Sequence, residues 1–256
     1  MQTRDQAVDA IWQAMGRGQF MPVEWRHRLS IDDAYRVQLA IMQRKIAAGD
    51  RQVGWKVGLT SAAMRRQQGI DAPCFGFLLA SGRWPSGASP EHAALISPGI
   101  ENELCVRVKR RLAGPDVDHE EAAAAIEAVM PAFEIAEVRG DFAADLALSI
   151  ADNVQQRGFV LGAEVHDPRA LSAIRTSTVI VSRNGEQCET ADATAVMEDP
   201  VNSLVWLANV LHRYDAAIEP GMLVMTGSFT RQYAARRGDR FEARFDPFGE
   251  VAVQFG

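Results

Sequence analysis

Apolar residues recur at helical spacing near the start of the chain and alternate with polar residues through most of the remainder. Two amphipathic helices are predicted, one over residues 4–15 and one from a capping signal at Ser30 to Gly49. In the first helix, Ala7 and Ile11 lie on the same face. The opening fifty residues are therefore predicted to form a helical layer whose role is packing.

Beyond residue 50 the period of two predicts strands. They cover residues 52–61, 74–80, 98–108, 130–136, 159–162, 176–182, 187–190, 222–225, 240–245 and 250–255. Further helices are predicted over residues 62–68, 118–130, 141–150 and 200–211, residues 81–99 are predicted to form a surface loop, and Asn184-Gly185 predicts a hairpin. The arrangement favours an α+β fold. We expect a single catalytic domain, 1–256, in which 1–50 is the helical layer and 51–256 a β-rich core.

Composition narrows the function classes. The chain has a net charge of −6 and one short basic run, 109–111, so nucleic-acid binding is not expected. No apolar run approaches the roughly 18 residues of a membrane span, and the polar N-terminus does not resemble a signal peptide. Three scattered cysteines favour a reducing, cytoplasmic location, and five histidines without ligand spacing argue against a zinc site.

Three glutamates form the first candidate site. Glu101 and Glu103 are two apart on a predicted strand and therefore project from one face, while Glu134 interrupts another apolar strand. Converging carboxylates repel one another unless a cation or a shared proton intervenes, and hard cations such as Mg²⁺ prefer oxygen ligands. The alternative is that the glutamates only form the solvent face of an amphipathic strand.

A lysine and an aspartate are the other candidates. Lys56 lies between Gly54 and Gly58, and glycine in a strand often marks the close approach of a ligand. Such a lysine serves as an acid/base or binds an anion, unless it is simply an exposed strand residue. Asp71, in the predicted loop of residues 69–73, is either a turn residue or a site acid.

Several ordered segments together resemble one family. They are Gly54-Trp55-Lys56-Val57-Gly58-Leu59-Thr60-Ser61, residues 69–76, Ile100-Glu101-Asn102-Glu103, Pro131-Ala132-Phe133-Glu134, Ile150-Ala151-Asp152-Asn153, residues 205–209 and Thr226-Gly227-Ser228. The sequence is similar to the 2-keto-4-pentenoate hydratases and their sisters, the 4-oxalocrotonate (2-oxo-3-hexenedioate) decarboxylases, of the fumarylacetoacetate hydrolase superfamily. The resemblance covers nearly the whole chain. It implies a strongly curved mixed β core with flanking helices.

The resemblance also implies roles for individual residues. Glu101, Glu103 and Glu134 match the carboxylates that hold Mg²⁺ or Mn²⁺ in that family. Lys56 and Asp71 match catalytic positions, with Lys56 in proton transfer, and Leu59 and Ser228 match substrate-facing positions. Two departures concern the substrate: Cys74 replaces an acid of many relatives, and residues 154–157 replace a small-residue segment.

The implied activity is metal-dependent addition of water to a 2-hydroxy-2,4-dienoate, giving a 4-hydroxy-2-oxo acid in aromatic meta-cleavage catabolism. Decarboxylation of 2-oxo-3-hexenedioate is the main alternative, and a metal-bound enolate serves either reaction. In either case a neighbouring cation is expected to depress the pKa of Lys56. A carbon–carbon hydrolase is disfavoured because no histidine lies in the matched motifs, and a non-catalytic partner of another enzyme stays open.

A homo-oligomer is expected, with a sister pathway enzyme as a further partner. Arg139, Arg157 and Arg231 are each capable of meeting a second substrate carboxylate, but are expected to be solvated.

Overall fold

The computed structural model describes residues 2–62, 65–66 and 70–256. The helices are α1 (Gln2–Gly16), α2 (Ile31–Ala47), α3 (His119–Ala125), α4 (Leu146–Ala151), α5 (Pro168–Leu171) and α6 (Val201–Leu211). The strands are β1 (Gln52–Gly58), β2 (Cys74–Leu79), β3 (Arg83–Pro85), β4 (Pro98–Val108), β5 (Ile126–Glu137), β6 (Gln156–Leu161), β7 (Thr178–Arg183), β8 (Glu186–Asp192), β9 (Leu223–Ser228), β10 (Tyr233–Ala234), β11 (Arg240–Asp246) and β12 (Gly249–Gln254).

A large mixed sheet carries most of the strands, in the order β2-β1-β9-β4-β5-β6-β3, with β10 added against β4. The β1/β9 and β3/β6 pairs are parallel, whereas the other pairs in this sheet are antiparallel. The predicted α+β class with a mixed β core is confirmed. The long central pair β4/β5 is buried along almost its whole length, which explains the apolar run from Ala128 to Phe133 in β5.

A second, antiparallel sheet has the order β12-β11-β7-β8. Its β7/β8 turn is the predicted hairpin, since Asn184 and Gly185 have φ angles of 55° and 85°. Both positive angles match the two-residue turn that Asn-Gly favours. The hairpin prediction is therefore confirmed.

The N-terminal helices pack against the strands through one continuous hydrophobic core. Ser30 caps α2, because its hydroxyl accepts a hydrogen bond from the Asp33 amide, as the sequence predicted. From α2, Tyr35 stacks on Phe75 of β2 with ring centroids 4.1 Å apart. No helix among the described residues is long and apolar enough to cross a membrane.

Several predicted boundaries were wrong. The helix predicted over residues 118–130 ends at Ala125, because the chain from Ile126 onward pairs with β4 and this pairing overrides the helix propensity of alanine. The helix predicted from Asp141 begins only after Asp145, whose carboxylate caps it. The predicted loop of residues 81–99 contains β3. Part of the helix predicted over residues 62–68 lies outside the described residues.

Asp239 fastens the second sheet at the β7/β8 turn. Its carboxylate accepts hydrogen bonds from Arg183 (2.5 Å), the Asn184 amide side chain (3.0 Å) and the Arg236 backbone (2.7 Å). Burial alone would raise the pKa of Asp239, but these donors together hold it below its usual value.

We expect Asp239→Asn to lower the free energy of unfolding by about 2 kcal/mol at pH 7, because hydrogen bonds to a charged acceptor are lost. Since the folded-state pKa is depressed, this stabilisation is present above the unfolded-state pKa near 4 and disappears as the pH falls through the folded-state value. Urea unfolding of both proteins between pH 3 and pH 7 measures the difference. The exposed Glu250 gives the control Glu250→Gln, and a difference that stays constant with pH would contradict the assignment.

Candidate metal and substrate site

The pairing of β4 with β5 brings two acids together. Glu101 lies directly opposite Glu134 in the antiparallel register, and Glu103 is two residues further along β4 on the same face. Like charges directly opposite one another destabilise a sheet unless something compensates them. This register makes the carboxylates converge, which the period of two in β4 alone did not establish.

A bulge in β9 supplies the backbone donor for Glu103. The β4/β9 register shifts between Glu103 and Cys105, and Gly227 adopts a φ angle of +115° there. Its amide donates a 2.8 Å hydrogen bond to Glu103 Oε2. A Cβ atom on Gly227 would lie 2.4 Å from the Thr60 side chain, so both the angle and the space require glycine.

The three carboxylates form a cluster that fits a hard cation. One oxygen from each of Glu101, Glu103 and Glu134 lies within 4.8 Å of the others. Within the described chain, Glu103 Oε1 and both Glu134 oxygens are buried and receive no hydrogen bond. Burial and the neighbouring Glu134 raise the pKa of Glu101 to about 7, and the same causes raise the pKa of Glu103 well above its usual value. An all-carboxylate oxygen set with unsatisfied lone pairs suits Mg²⁺ or Mn²⁺.

Lys56 is buried beside this cluster, 4% exposed, with its Nζ 3.2 Å from Glu134 Oε1. Burial alone would lower the pKa of Lys56, but the Glu134 carboxylate, the Cys74 thiol and the other glutamates together raise it. The simple alternative of an exposed strand lysine is therefore wrong. The expected depression of its pKa depends on a bound cation, and without one the shift is upward.

The glycines around Lys56 make room for the protein itself. A Cβ on Gly54 would overlap the backbone of Leu223 in β9, and one on Gly58 would lie 3.2 Å from Cys74 Sγ and 3.3 Å from Lys56 Nζ. Burial raises the pKa of Cys74 to about 11, so this residue adds no negative charge at the position where the family resemblance implies an acid. Our interpretation of these glycines as a place for ligand approach was wrong at Gly54.

Two cavities meet at the carboxylates. The Lys56 cavity, of about 470 Å³, is lined by Lys56, Gly58, Leu59, Glu101, Glu134, Ala136, Val138, Gly140, Asp141, Phe142, Val154, Gln155 and Gln232. The Ser228 cavity, of about 300 Å³, is lined by the hydroxyl-bearing residues Thr60, Ser61, Ser228 and Thr230 and by three charged residues, Arg231, Glu101 and Glu189. Glu101 and Leu59 line both cavities, which have the size of small-molecule sites.

The predicted substrate-facing residues lie at this junction. Leu59 has a positive φ angle of 56°, and its carbonyl accepts a 2.6 Å hydrogen bond from Arg65. Ser228 lies opposite Glu103 in the β4/β9 pair and faces the second cavity. Their roles in substrate binding stay predictions, but their positions suit them.

Asp71 does not lie with the other site residues. It is exposed and lines a separate cavity with Ala62, Arg65, Arg66 and Ile70. Residues 67–69 beside it lie outside the described chain. Its catalytic role stays a prediction that the described geometry does not support.

The local sequence gave no clear prediction for the turn of residues 153–155, which lines the Lys56 cavity. Asn153, Val154 and Gln155 form a turn with three consecutive positive φ angles, of 56°, 54° and 58°. For a β-branched residue such as Val154 this conformation is an outlier that costs of order 1–3 kcal/mol. The departure from the family pattern at residues 154–157 was the sequence signal that marked this segment.

A third cavity lies on the other face of β5. It is lined by Glu137, Arg139 and Asp152, among other residues, with a volume of about 390 Å³. Arg139 is 4% exposed and binds the Asp152 carboxylate at 2.6 Å and Glu137 at 3.0 Å. The prediction of a solvated Arg139 was therefore wrong. Arg157 and Arg231 are exposed by 40% and 73%, as expected.

Comparison with known proteins identifies the family. The model of the fumarylacetoacetate (FAA) hydrolase C-terminal family matches residues 70–255. The chain belongs to the fumarylacetoacetate hydrolase family. It is also similar to 2-keto-4-pentenoate hydratase of Paraburkholderia xenovorans (strain LB400), at 32% identity over 99% of this chain and 95% of that protein.

Members of this family with the sister activity are equally similar. A 4-oxalocrotonate decarboxylase of Pseudomonas putida is 33% identical over 89% of this chain and 86% of its own. The structure of 4-oxalocrotonate decarboxylase from Pseudomonas putida G7, complexed with magnesium and adipate, matches with a TM-score of 0.92 and 30% identity. That match covers 100% of this chain and 98% of the other. The resemblance inferred from the ordered motifs is confirmed, and the relatives include both hydro-lyases and carboxy-lyases.

We expect Gly227→Ala to lower the free energy of unfolding by about 3 kcal/mol, since it adds both backbone strain and a clash with Thr60. Gly221→Ala is the matched control, because Gly221 also has a positive φ angle (84°) but open space around its Cβ position. We expect Gly221→Ala to lower the free energy of unfolding by about 1 kcal/mol. Urea unfolding measures both variants, and equal losses would contradict a specific role for the Gly227–Thr60 contact.

Proposed function

We propose that the protein is a metal-dependent hydratase that adds water to a 2-hydroxy-2,4-dienoate of the 2-hydroxypenta-2,4-dienoate type, giving a 4-hydroxy-2-oxo acid. The observation that carries the proposal is the convergence of three carboxylates and a buried lysine at one cavity. The similarity to hydratases over nearly the entire chain supports it.

Glu101, Glu103 and Glu134 would hold Mg²⁺ or Mn²⁺, because one oxygen of each lies within 4.8 Å of the others, and Glu103 Oε1 and Glu134 Oε2 have no partner among the described residues. A bound cation supplies Lewis acidity, which stabilises negative charge on the oxygens of a 2-oxo acid. The Gly227 amide fixes the orientation of Glu103 for this purpose. Glu134 is shared between the cation site and Lys56.

Lys56 is the candidate proton carrier. It bears the only positive charge among the described residues that line its cavity. Ketonisation removes the proton of the 2-hydroxyl group and delivers one to C5, after which water adds its oxygen to C4 and its remaining proton to C3. The ammonium group, held by Glu134, is placed to exchange these protons with the substrate.

Decarboxylation of 2-oxo-3-hexenedioate is the second candidate, supported by the match to a decarboxylase structure. In that reaction the bond to the departing carboxylate breaks, CO₂ leaves and a proton replaces it. Product analysis separates the two reactions. A carbon–carbon hydrolase stays disfavoured, since no histidine is among the described residues that line the Lys56 and Ser228 cavities.

Assembly and location are further proposals. We expect a homo-oligomer, with a sister pathway enzyme as a further partner, and a cytoplasmic location that agrees with three free cysteines. Light scattering of the purified protein measures the first of these. A non-catalytic role would leave the buried carboxylates and Lys56 without a chemical purpose.

We expect the purified protein to consume 2-hydroxypenta-2,4-dienoate with Mg²⁺ present and to stop when excess EDTA is added. Loss of the dienoate absorbance, with 4-hydroxy-2-oxopentanoate as the product, measures this activity. Release of CO₂ from 2-oxo-3-hexenedioate without dienoate hydration would instead favour the decarboxylase.

We expect Glu103→Gln to weaken Mg²⁺ binding by at least about tenfold, because a buried anionic ligand is replaced by a neutral amide. Calorimetric titration with MgCl₂ measures the affinity. Glu127→Gln is the control, since Glu127 is an exposed glutamate on the same strand as Glu134. Unchanged affinity and activity in Glu103→Gln would show that the cluster is not the metal site.

We expect Lys56→Met to lower turnover by about 10²- to 10⁴-fold, in the range typical of a lost proton-transfer group. Mg²⁺ affinity should be kept or increased, because a positive charge beside Glu134 is removed. The control Lys109→Met changes an exposed lysine on the segment after β4. Normal turnover in Lys56→Met would leave the lysine with a packing role only.

A further inference from the structure

The end of the Lys56 cavity away from the glutamates is uncharged apart from one acid. This wall, here called the distal wall, consists of Ala136, Val138, Gly140, Asp141, Phe142, Val154 and Gln155. Among the described lining residues the single cation is Lys56, which is already paired with Glu134 at 3.2 Å. A carboxylate reaching the distal wall would meet Asp141 and no compensating cation.

The distal wall is held rigidly by the turn of residues 153–155. The Asn153 side chain accepts a 2.8 Å hydrogen bond from the Phe77 amide and donates one of 3.1 Å to the Phe77 carbonyl. At the other end, Gln155 Nε2 donates a 2.9 Å bond to the Gly140 carbonyl. These bonds hold Val154 and Gln155 in their unusual left-handed conformation, in which both residues line the cavity.

The Ser228 cavity is richer in hydrogen-bond donors. Four of its described lining residues carry hydroxyl groups, and its cation, Arg231, lies 3.6 Å from the Glu189 carboxylate, with Glu101 as a second acid of the lining. Hydroxyl and guanidinium groups are suitable donors to a carboxylate, whereas the distal wall offers mostly hydrocarbon. The two cavities share Gly58, Leu59, Glu101 and Gln232 as lining residues, which suits an extended substrate with its acid end in the Ser228 cavity and its other end against the distal wall.

We propose that the turn of residues 153–155, together with Phe142, is the specificity element of the site: it admits 2-hydroxydienoates that end in a hydrocarbon group and rejects those that end in a second carboxylate. This inference rests on the proposed function for the identity of the acid end. The physical cause is the approach of the second carboxylate to Asp141 and to hydrocarbon, with no unpaired cation among the described lining residues to compensate its charge.

The test compares two substrates of equal chain length, 2-hydroxyhexa-2,4-dienoate and 2-hydroxyhexa-2,4-dienedioate, with the Mg²⁺-loaded protein. We expect kcat/KM, counting hydration and decarboxylation together, to favour the monoacid by at least about tenfold. Equal or better use of the diacid would overturn the proposal.

Binding separates this proposal from the proposed function. Calorimetry with the unreactive 2-oxohexanoate and 2-oxohexanedioate should show the same preference, because the distal wall acts on binding. If neither dienoate is consumed but the monoacid binds more tightly, the proposed function fails while the specificity assignment holds. If the dienoates are consumed without a binding preference, the specificity assignment fails.

The variant Gln155→Arg places a cation on the distal wall. It should lower the ratio of kcat/KM for the monoacid to kcat/KM for the diacid by at least about tenfold. Ala143→Arg adds the same charge on the exposed side of the neighbouring turn, outside the wall, and should leave the preference unchanged. Phe142→Arg is the second wall variant, should Gln155→Arg not fold. A preference that moves equally in the wall and control variants would overturn the assignment.

Discussion

The opposition of Glu101 and Glu134 across β4 and β5 is the interaction on which the site depends. Two carboxylates in direct register, with a third two residues along, would repel one another in a buried sheet. The described residues supply partial compensation, from the Lys56 ammonium, the Gly227 backbone amide and the Gln232 side-chain amide. The remaining negative charge is what makes this part of the sheet suited to a cation.

Several neighbouring features are consequences of holding that charge in place. The bulge in β9 turns one backbone amide toward Glu103, and the absence of a side chain at Gly227 leaves room for Thr60. Gly58, on β1, leaves room for the end of the Lys56 side chain. The large mixed sheet thus does more than support the site, since two of its strands provide the three carboxylates, a third provides the Gly227 amide and a fourth provides the lysine.

Those parts of the structure that depend on local periodicity or local turn chemistry could be predicted from the sequence. The shared face of Glu101 and Glu103, the Ser30 cap and the Asn184-Gly185 hairpin all follow from spacing within a few residues. The end of α3 does not follow from local spacing, because pairing with β4 places Ile126 in a strand.

Features that depend on long-range interactions could not be predicted from local sequence patterns. The burial of Arg139 depends on two acids, Glu137 and Asp152, and on packing from distant segments. The local sequence does not predict the left-handed turn at Val154, since its conformation is held by hydrogen bonds to β2 and to Gly140. The ordered motifs of the family, taken together, indicated the carboxylate cluster better than any single strand did.

The C-terminal end of β5 separates two different environments. Ala136, Val138 and Gly140 line the Lys56 cavity, while the alternate residues Glu137 and Arg139 line the cavity on the opposite face. A one-residue insertion or deletion here would exchange the two faces and bring an ion pair into the substrate space. Replacing Ala136, Val138 or Gly140 would therefore alter the Lys56 cavity alone, whereas an insertion or deletion in this stretch would alter both cavities.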